Sequence, residues 1–392
     1  MELNLNPKEQ KITSGRRNWR AKWNEFKVTF PHQEQPYAKR GWGGAMHSMC
    51  SYQGKMKPSL AHHLIECFSA PGDVVVDPFS GCGTIPFEAC RMNREGFGVD
   101  ISSLGHVLTL GKVAKTSPLK VSQMLKELEY FIGEYQVSDA DKLSAEKITF
   151  NSSIPEYFHA DTFREVLAAR KFFLSRWDES PEWALLYSST LHLLHGNRPY
   201  ALSRNSHPVT PYSPTGPFEY RALMPRLHKK LALMKSELDR DGQSYGGSAQ
   251  GDCTEIWPES IPKADVIITS PPFFESTKFY MTNWMRFWFT GWEREDFNLK
   301  PVDYVETQQK ANLDIYKKFF ENARERLKFG GLLVLHLGHS KKCDMGKELA
   351  NRVDNWFEVE DCFTESVEHC ESHGIRDKGS VTGHTYLVLR AM

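Results

Sequence analysis

The stretch 71–100, PGDVVVDPFSGCGTIPFEACRMNREGFGVD, decides the fold that we predict for this chain. Residues 74–76 are a short run of valines between polar neighbours, as is typical of a buried parallel strand. Two glycines follow in a turn, and Thr84 is placed to cap a helix over residues 85–91. A second strand then ends in an acid, Asp100. This order of strand, glycine turn, helix and strand predicts a doubly wound α/β fold.

The acids at the two strand ends indicate which cofactor this turn would bind. Asp100 stands at the edge where open α/β sheets hold ribose hydroxyls. Dinucleotide folds use G-x-G-x-x-G, which presents a helix N-terminus to a pyrophosphate, whereas this stretch has only G-x-G after Asp77. A carboxylate there would repel phosphate but suit a cationic amino acid group. S-adenosylmethionine has a sulfonium, an ammonium and no phosphate, so we predict it as the cofactor. The alternative is a strand, turn and helix that bind nothing.

Length and charge place limits on the kind of protein. The 392 residues are 40% hydrophobic, which is ample for a buried core, and the net charge is zero. Residues 1–40 nevertheless hold nine Lys and Arg against four Asp and Glu, and residues 191–240 hold eight against three. Two basic regions on an acidic body predict a localised surface for a polyanion.

The cysteines and the hydropathy pattern indicate the compartment. The eight cysteines show no C-x-x-C pair, so neither a metal site nor a disulfide framework is expected. We find no signal peptide and no apolar run long enough to span a bilayer. The expectation is a cytoplasmic protein with reduced thiols and no membrane association.

Two segments combine basic, polar and aromatic residues. Residues 1–44 place Arg16, Arg17 and Arg20 beside Trp19 and Trp23, which suits phosphates and base stacking; an arm that packs its tryptophans on the body is an equal alternative. Residues 196–216, GNRPYALSRNSHPVTPYSPTG, form a long polar loop of the kind that reads base edges, or else a solvated cover.

A second motif follows an apolar strand predicted over residues 264–269. Ser270, Pro271, Pro272 and Phe273 stand at its carboxyl end. Consecutive prolines fix the backbone and lack amide hydrogens, so we expect their carbonyls to be free to accept from a ligand. Such a bracket can hold an exocyclic amine while Phe273 stacks on its ring. The amine could then attack the sulfonium methyl directly, once the base has left its helix.

Four motifs together resemble the S-adenosylmethionine-dependent amino DNA methyltransferases, particularly the cytosine-N4 group. They are DPFSGCGT (77–84), GVD (98–100), GDC (251–253) and TSPPF (269–273). The segment 52–65 resembles the one that closes over the methionine end of the cofactor in that family. The resemblance implies a Rossmann-like class I methyltransferase sheet with an inserted, mostly helical recognition region.

The resemblance also implies roles for particular residues. The bracket Ser270, Pro271, Pro272 and Phe273 would be catalytic. The expected cofactor-binding residues are Tyr52, Lys55, Pro58, Asp77, Pro78, Phe79, Gly81, Gly83, Thr84, Asp100, Ile101, Asp252 and Cys253. The residues expected to contact DNA are Arg198, Arg204, Asn205, His207, Tyr280 and Arg286.

Domain limits and partners follow in the same way. We expect an N-terminal arm (1–44), a cofactor-binding half (45–112), the inserted region (113–248) and a catalytic half (249–392). Double-stranded DNA is the expected partner of a monomer or weak dimer. The sequence does not decide whether a cognate restriction endonuclease is a second partner.

Serine at position 270 favours cytosine N4, with adenine N6 as the first alternative. An RNA guanine-N2 methyltransferase and a non-catalytic DNA-binding regulator that keeps the fold are the others.

Overall fold

The computed structural model describes residues 18–39, 41–196, 199–238, 243–274, 278–353, 355–366 and 381–392. The strands are β1 (Val74–Asp77), β2 (Glu95–Asp100), β3 (Gly247–Gln250), β4 (Ala264–Thr269), β5 (Leu327–Ser340), β6 (Phe357–Ser366) and β7 (Val381–Ala391). The helices of these ranges are α1 (Trp19–Thr29), α2 (Pro58–Phe68), α3 (Thr84–Arg91), α4 (Ser103–Val113), α5 (Pro118–Glu134), α6 (Asp139–Glu146), α7 (Ala160–Ser175), α8 (Pro181–Leu193), α9 (Leu223–Leu238), α10 (Phe279–Thr282), α11 (Trp284–Phe289), α12 (Asp296–Leu299), α13 (Val305–Gln308), α14 (Ile315–Arg326) and α15 (Met345–Ala350).

The strands form one seven-stranded sheet in the order β3-β2-β1-β4-β5-β7-β6. The first five strands in this order are parallel to their neighbours, and β7 runs antiparallel to both β5 and β6. The strand order reverses between β1 and β4, and open α/β sheets bind ligands at such a reversal, outside the carboxyl ends of the strands. This position lies beside Asp77 and Ser270.

Both faces of the sheet are covered, as a doubly wound fold requires. On one face, α14 and the loop before β4 pack Phe319, Phe320 and Trp257 against the strands. On the other face, α1 and α2 pack a second apolar cluster that includes Leu64 and Trp23. Burial on both sides explains why β1 and β4 are continuous apolar runs.

The N-terminal arm packs on the body. The indole N–H of Trp23 donates to the Asp361 carboxylate at 2.7 Å, and its ring lies 5.5 Å from that of Tyr386 in β7. Trp19 is buried as well, and Arg20 pairs with Glu360. The interpretation that these tryptophans stack on bases is therefore wrong, because both rings are buried against the sheet and are not accessible to a base. Arg16 and Arg17 lie outside the described residues.

The helices α5 to α9 lie within residues 113–248, for which an inserted region is predicted. They share one apolar core with α4, α10 and α11, to which Leu186, Trp284 and Trp288 contribute. The last of these helices ends at Leu238 and β3 begins at Gly247. None of the helices in the described part of the chain combines the length and the apolar composition that crossing a membrane requires.

Several helices and strands differ from those predicted from the sequence, for physical reasons. The cap of α3 is Gly83 with φ 69°, and no side chain caps this helix, so the expected role of Thr84 is wrong. Residues 279–289 form two short helices, α10 and α11, separated by Asn283, whose amide donates to the Phe279 carbonyl at 3.2 Å and competes with the backbone ladder. The short strand β3 and the helix α4 were not expected.

Candidate active site

The carboxyl ends of β1, β2 and β4 open into one cavity of about 640 Å³. This volume lies within the usual range of small-molecule sites, about 300–1,000 Å³. The glycine turn after β1 and the Ser-Pro-Pro-Phe bracket after β4 both line it. The expected residues that line the cavity are Tyr52, Lys55, Asp77, Pro78, Phe79, Gly81, Thr84, Asp100, Ile101, Asp252, Cys253, Ser270, Pro271, Pro272 and Phe273.

Two expected cofactor residues do not line the cavity. A Cβ at Gly83 would come within 2.8 Å of the Thr109 backbone, so this glycine allows α3 to pack closely against α4. Pro58 is buried in the first turn of α2, where its fixed φ and missing N–H suit the helix start. The assignment of these two residues to cofactor binding stays a prediction.

Asp77 lies at the centre of the cavity wall. Its Oδ1 accepts from the Thr269 hydroxyl at 2.6 Å and from the Phe79 N–H at 3.1 Å. Burial raises the pKa of this carboxyl to about 7, against the opposing effect of those two donors. Asp77 thus has a fixed orientation and an ionisation state that a nearby cation would decide.

Asp100 holds the turn and the next helix together. One carboxylate oxygen accepts from the Gly81 N–H at 2.8 Å, and the other accepts from the N–H and hydroxyl of Ser102 at 2.9 and 2.6 Å. The Ser102 side chain in turn accepts from the Gly105 N–H at the start of α4. Burial raises the pKa of Asp100. The same carboxylate therefore shapes the glycine turn and lines the cavity.

Tyr52 covers the glycine turn from the other side. A Cβ at Gly81 would lie 2.9 Å from the Tyr52 hydroxyl, so only glycine, here at φ 49°, lets the two segments approach this closely. The Tyr52 ring lies 4.9 Å from that of Phe279 in α10. The segment before α2 and the segment after the bracket thus meet over the cavity.

The bracket is held from three directions. The Ser270 hydroxyl lies 3.1 Å from His336 Nδ1, and the Gln309 amide donates to the carbonyls of Pro272 and Phe273 at 3.1 and 3.3 Å. The Phe273 ring lies against β5, where a Cβ at Gly338 would come within 2.8 Å of it. The expectation that both proline carbonyls are free is therefore wrong for Pro272, which Gln309 occupies.

The residues expected to contact DNA fall into distinct environments. Arg286 is fully buried, and its guanidinium donates to Asn283 Oδ1 and to the Ser51 hydroxyl, both at 2.7 Å. A DNA contact by Arg286 is therefore wrong. Arg204 lies 4.1 Å over the Phe218 ring and donates to the Gly216 carbonyl.

The other DNA residues are nearer the surface. Asn205 and His207 are exposed, and Tyr280 is half-buried. Arg198 lies outside the described residues.

Sequence reasoning missed a polar end of the cavity. It consists of His32 and Gln33 from the N-terminal segment, His336 from β5, Glu365 from β6 and His384 from β7. The Glu365 carboxylate accepts from the Tyr386 hydroxyl at 2.7 Å and lies 3.0 Å from His32 Nε2. No sequence signal indicates them, because they lie within three strands and an N-terminal segment that are far apart in the chain.

Comparison with known proteins adds evidence from sequence. The model of a DNA methylase family, that of the N6 and N4 enzymes, matches residues 4–104. A type II methyltransferase of Methanocaldococcus jannaschii, M.MjaII, is 28% identical over 106 residues, which are 25% of this chain and 20% of that protein. The type II methyltransferase M.MvaI of Kocuria varians is 32% identical over 89 residues, 22% and 20% of the two chains. The chain thus matches about a fifth of the length of these relatives.

Solved structures resemble the chain only distantly. TrmN from Thermus thermophilus has a TM-score of 0.35 at 14% identity, over 87% of this chain and 50% of that one. The rRNA methyltransferase AviRa from Streptomyces viridochromogenes has a TM-score of 0.36 at 10% identity, over 91% and 94%. Likeness at this level carries no inference about activity.

The sheet order with its single reversed strand, and the cavity at the carboxyl ends of β1, β2 and β4, define a class I methyltransferase fold. The expected fold is confirmed. Residues 4–104 match the model of the N6 and N4 DNA methylases, so this part of the chain is similar to that family.

S-adenosylmethionine is the cofactor of this class, and the residues of the cavity fit it. Asp77 is a buried carboxylate without a cationic partner among its described contacts, which suits the ammonium of the methionine moiety. Asp100 and the half-enclosed side chains of Ile101 and Phe79 suit a ribose and an adenine. The cofactor supplies an electrophilic methyl group.

Cofactor affinity is expected to rise with pH through the range in which Asp77 ionises. With a pKa of about 7 the carboxyl is mostly neutral at pH 6 and mostly ionised at pH 7.5, and only the ionised form attracts the ammonium. The dissociation constant for the cofactor should fall about five- to eightfold from pH 6 to pH 7.5. The ammonium stays mostly protonated over this range, because an α-amino group has a pKa of about 7.7–8.0. Calorimetric titration of the protein with S-adenosylmethionine measures the dissociation constant. The Asp77→Asn variant should bind weakly and without this pH dependence, and a pH-independent wild type would contradict the assignment.

Proposed function

We propose that the protein is a site-specific DNA methyltransferase that transfers a methyl group from S-adenosylmethionine to the N4 amine of a cytosine flipped out of duplex DNA. The observation that carries the proposal is the single cavity shared by the Asp77 turn and the Ser270–Phe273 bracket. A cofactor held at the first and a base held at the second would bring the amine and the methyl group together.

The bracket supports chemistry on an amine. An exocyclic amine is a weak nucleophile because its lone pair is delocalised into the ring. Oxygen acceptors that hold its hydrogens favour a pyramidal nitrogen and concentrate that lone pair. The Ser270 hydroxyl and the Pro271 carbonyl are the acceptors we assign, since Gln309 holds the carbonyls of Pro272 and Phe273.

Phe273 supports binding of an extruded base. Its ring lines the cavity and is backed by Gly338, so one face can receive a base. Stacking on an aromatic side chain contributes about 1–3 kcal/mol per base, which largely offsets the few kcal/mol that flipping costs.

The loop 199–222 supports recognition of DNA. It is held in place because the Ser51 hydroxyl donates to the Pro208 carbonyl at 2.7 Å and the Trp284 indole donates to the Pro211 carbonyl at 3.2 Å. Asn205, His207 and Tyr212 are exposed on it, and they are our candidates for base-edge contacts. We assign Arg204 and Tyr280 to the same interface.

The test is nucleoside mass spectrometry of duplex DNA treated with the protein and S-adenosylmethionine that carries a labelled methyl group. N4-methylcytosine is the expected product, because serine stands at position 270. N6-methyladenine would replace the cytosine assignment by the adenine one. Labelled N2-methylguanosine in tRNA, with none in DNA, would overturn the DNA assignment. Cofactor binding without turnover on any nucleic acid would favour a regulator.

A further inference from the structure

A serine–histidine pair, of which the imidazole is buried, lies in the wall of the cavity. Ser270 follows β4, and His336 lies in β5, where Leu335 pairs with Thr269. The Ser270 Oγ is 3.1 Å from His336 Nδ1 and 3.2 Å from the His336 carbonyl oxygen. The imidazole is 5% exposed and lines the same cavity as the bracket. Its other nitrogen, Nε2, is buried and has no hydrogen-bond partner among the described residues.

The surroundings favour a neutral imidazole. His384 and Tyr386 of β7 face it, with ring centroids 4.6 and 5.4 Å away, and Phe273 lies at 5.5 Å. Behind them are Glu365 of β6, which accepts from Tyr386, and the N-terminal His32. Burial first, and then the neighbouring imidazoles of His384 and His32, lower the pKa of His336 well below its usual value. A neutral imidazole has one nitrogen that can accept a proton.

The position of the pair gives that nitrogen a use. If Nε2 carries the ring proton, the Ser270 hydroxyl can donate to Nδ1 instead of to the His336 carbonyl oxygen, and both lone pairs of Oγ are left to accept from a substrate. If Nδ1 carries it, the hydroxyl donates to that carbonyl and one of those lone pairs accepts from the Nδ1–H. This inference rests on the proposed function. We propose that His336 is a positioning residue with its ring proton on Nε2. It orients the Ser270 hydroxyl toward the target amine and receives, through Ser270, the proton that the amine loses.

The step balances in atoms and charge. The amine nitrogen forms a bond to the methyl carbon while the methyl–sulfur bond breaks, and the electron pair of that bond stays on sulfur. The nitrogen then carries an extra proton and a positive charge. It passes this proton to Ser270 Oγ, which gives its own proton to His336 Nδ1. The imidazolium returns the proton to water after the product leaves. Because a charged exocyclic nitrogen is strongly acidic, a weak base suffices.

The first test observes the pair without any methyl transfer. Nitrogen-15 NMR of the full-length protein, labelled at histidine, should show for His336 a protonated Nε2 and an unprotonated, hydrogen-bonded Nδ1. The Ser270→Ala variant should shift the Nδ1 resonance. A protonated Nδ1 in the wild type, or a resonance that ignores Ser270→Ala, would overturn the proposal whatever the protein methylates.

The second test asks whether His336 acts through Ser270. His336→Asn is expected to lower kcat about 100-fold, with the KM values for DNA and cofactor nearly unchanged. The double variant with Ser270→Ala should be no slower than Ser270→Ala alone, because residues that act as a unit are not additive. His336→Gln is a second variant if His336→Asn fails to fold.

A matched control exists outside the cavity. His106 Nδ1 lies 3.2 Å from the Ser248 hydroxyl, so a buried imidazole again pairs with a half-buried serine. His106→Asn should leave kcat within about twofold. Independent, multiplying effects of His336→Asn and Ser270→Ala would show a merely structural histidine and overturn the proposal. A wild type that methylates no nucleic acid overturns the proposed function itself, and with it the proton transfer, even where the NMR confirms the hydrogen bond.

Discussion

Ser270→Ala is expected to lower kcat by about 100- to 1,000-fold, the range found when a single positioned polar group is removed from a reaction site. The hydroxyl lies at the bracket and pairs with His336 at 3.1 Å, so its loss removes an acceptor for the amine that matters most as charge develops on the nitrogen. Single-turnover transfer of a labelled methyl group to duplex DNA measures the rate. Affinity for S-adenosylmethionine should change less than about twofold, because the cofactor side of the cavity is formed by other residues.

The control for this prediction is Ser248→Ala. This serine also pairs with a histidine, His106 at 3.2 Å, but it does not line the cavity. It should retain nearly full activity. If Ser270→Ala instead weakened cofactor binding as much as turnover, Ser270 would act on the architecture of the site and the catalytic assignment would be wrong.

Gly105→Ala is expected to weaken S-adenosylmethionine binding by about 100-fold or more. A Cβ at Gly105 would lie 2.2 Å from the carboxyl carbon of Asp100, which three hydrogen bonds hold in place. Asp100 must therefore move and release the Gly81 N–H as well as its contacts to Ser102. A displaced Asp100 can no longer accept from the ribose hydroxyls of the cofactor. Hydrogen bonds to a charged group contribute about 1.5–3 kcal/mol each, and each 1.4 kcal/mol is tenfold in affinity. Calorimetric titration with the cofactor measures the loss.

Gly133→Ala separates this effect from ordinary helix propensity. Gly133 lies in α5, and a Cβ there meets no atom within 4 Å. Alanine should raise the free energy of unfolding by about 1 kcal/mol, as glycine is that much less favourable in a helix. Cofactor affinity should not change. A Gly105→Ala variant that binds as tightly as the wild type would mean that Asp100 is not needed for the cofactor.

The sequence predicts the position of a local motif correctly where neighbours in the chain are also neighbours in space. The turn from Asp77 to Thr84 and the bracket from Ser270 to Phe273 are short, and glycine and proline restrict their backbones whatever surrounds them. Arg286 shows the opposite case. Its sequence environment gives no sign that a guanidinium lies in the core, and its burial depends on Ser51 and Leu191, which lie far away in the chain.

The polar end of the cavity could not be predicted for the same reason. Separate elements after β4 supply His336, Gln309 and Glu365. Only the order of the sheet and the path of the chain bring these side chains to the bracket or to the polar end of the cavity. Nothing in a single sequence indicates which histidine of a strand faces a cavity.

The sequence by itself determined the class of fold and the two turns that line the cavity, because valine runs, glycines and prolines restrict the backbone locally. Only the tertiary structure decided which side chains surround those turns. Pairing of β4 with β5 brings His336 to Ser270, and the packing of α1 on the sheet removes Trp19 and Trp23 from solvent. Burial and long-range contact are properties of the whole packed chain, and they decide the protonation state and the availability of each group in the site.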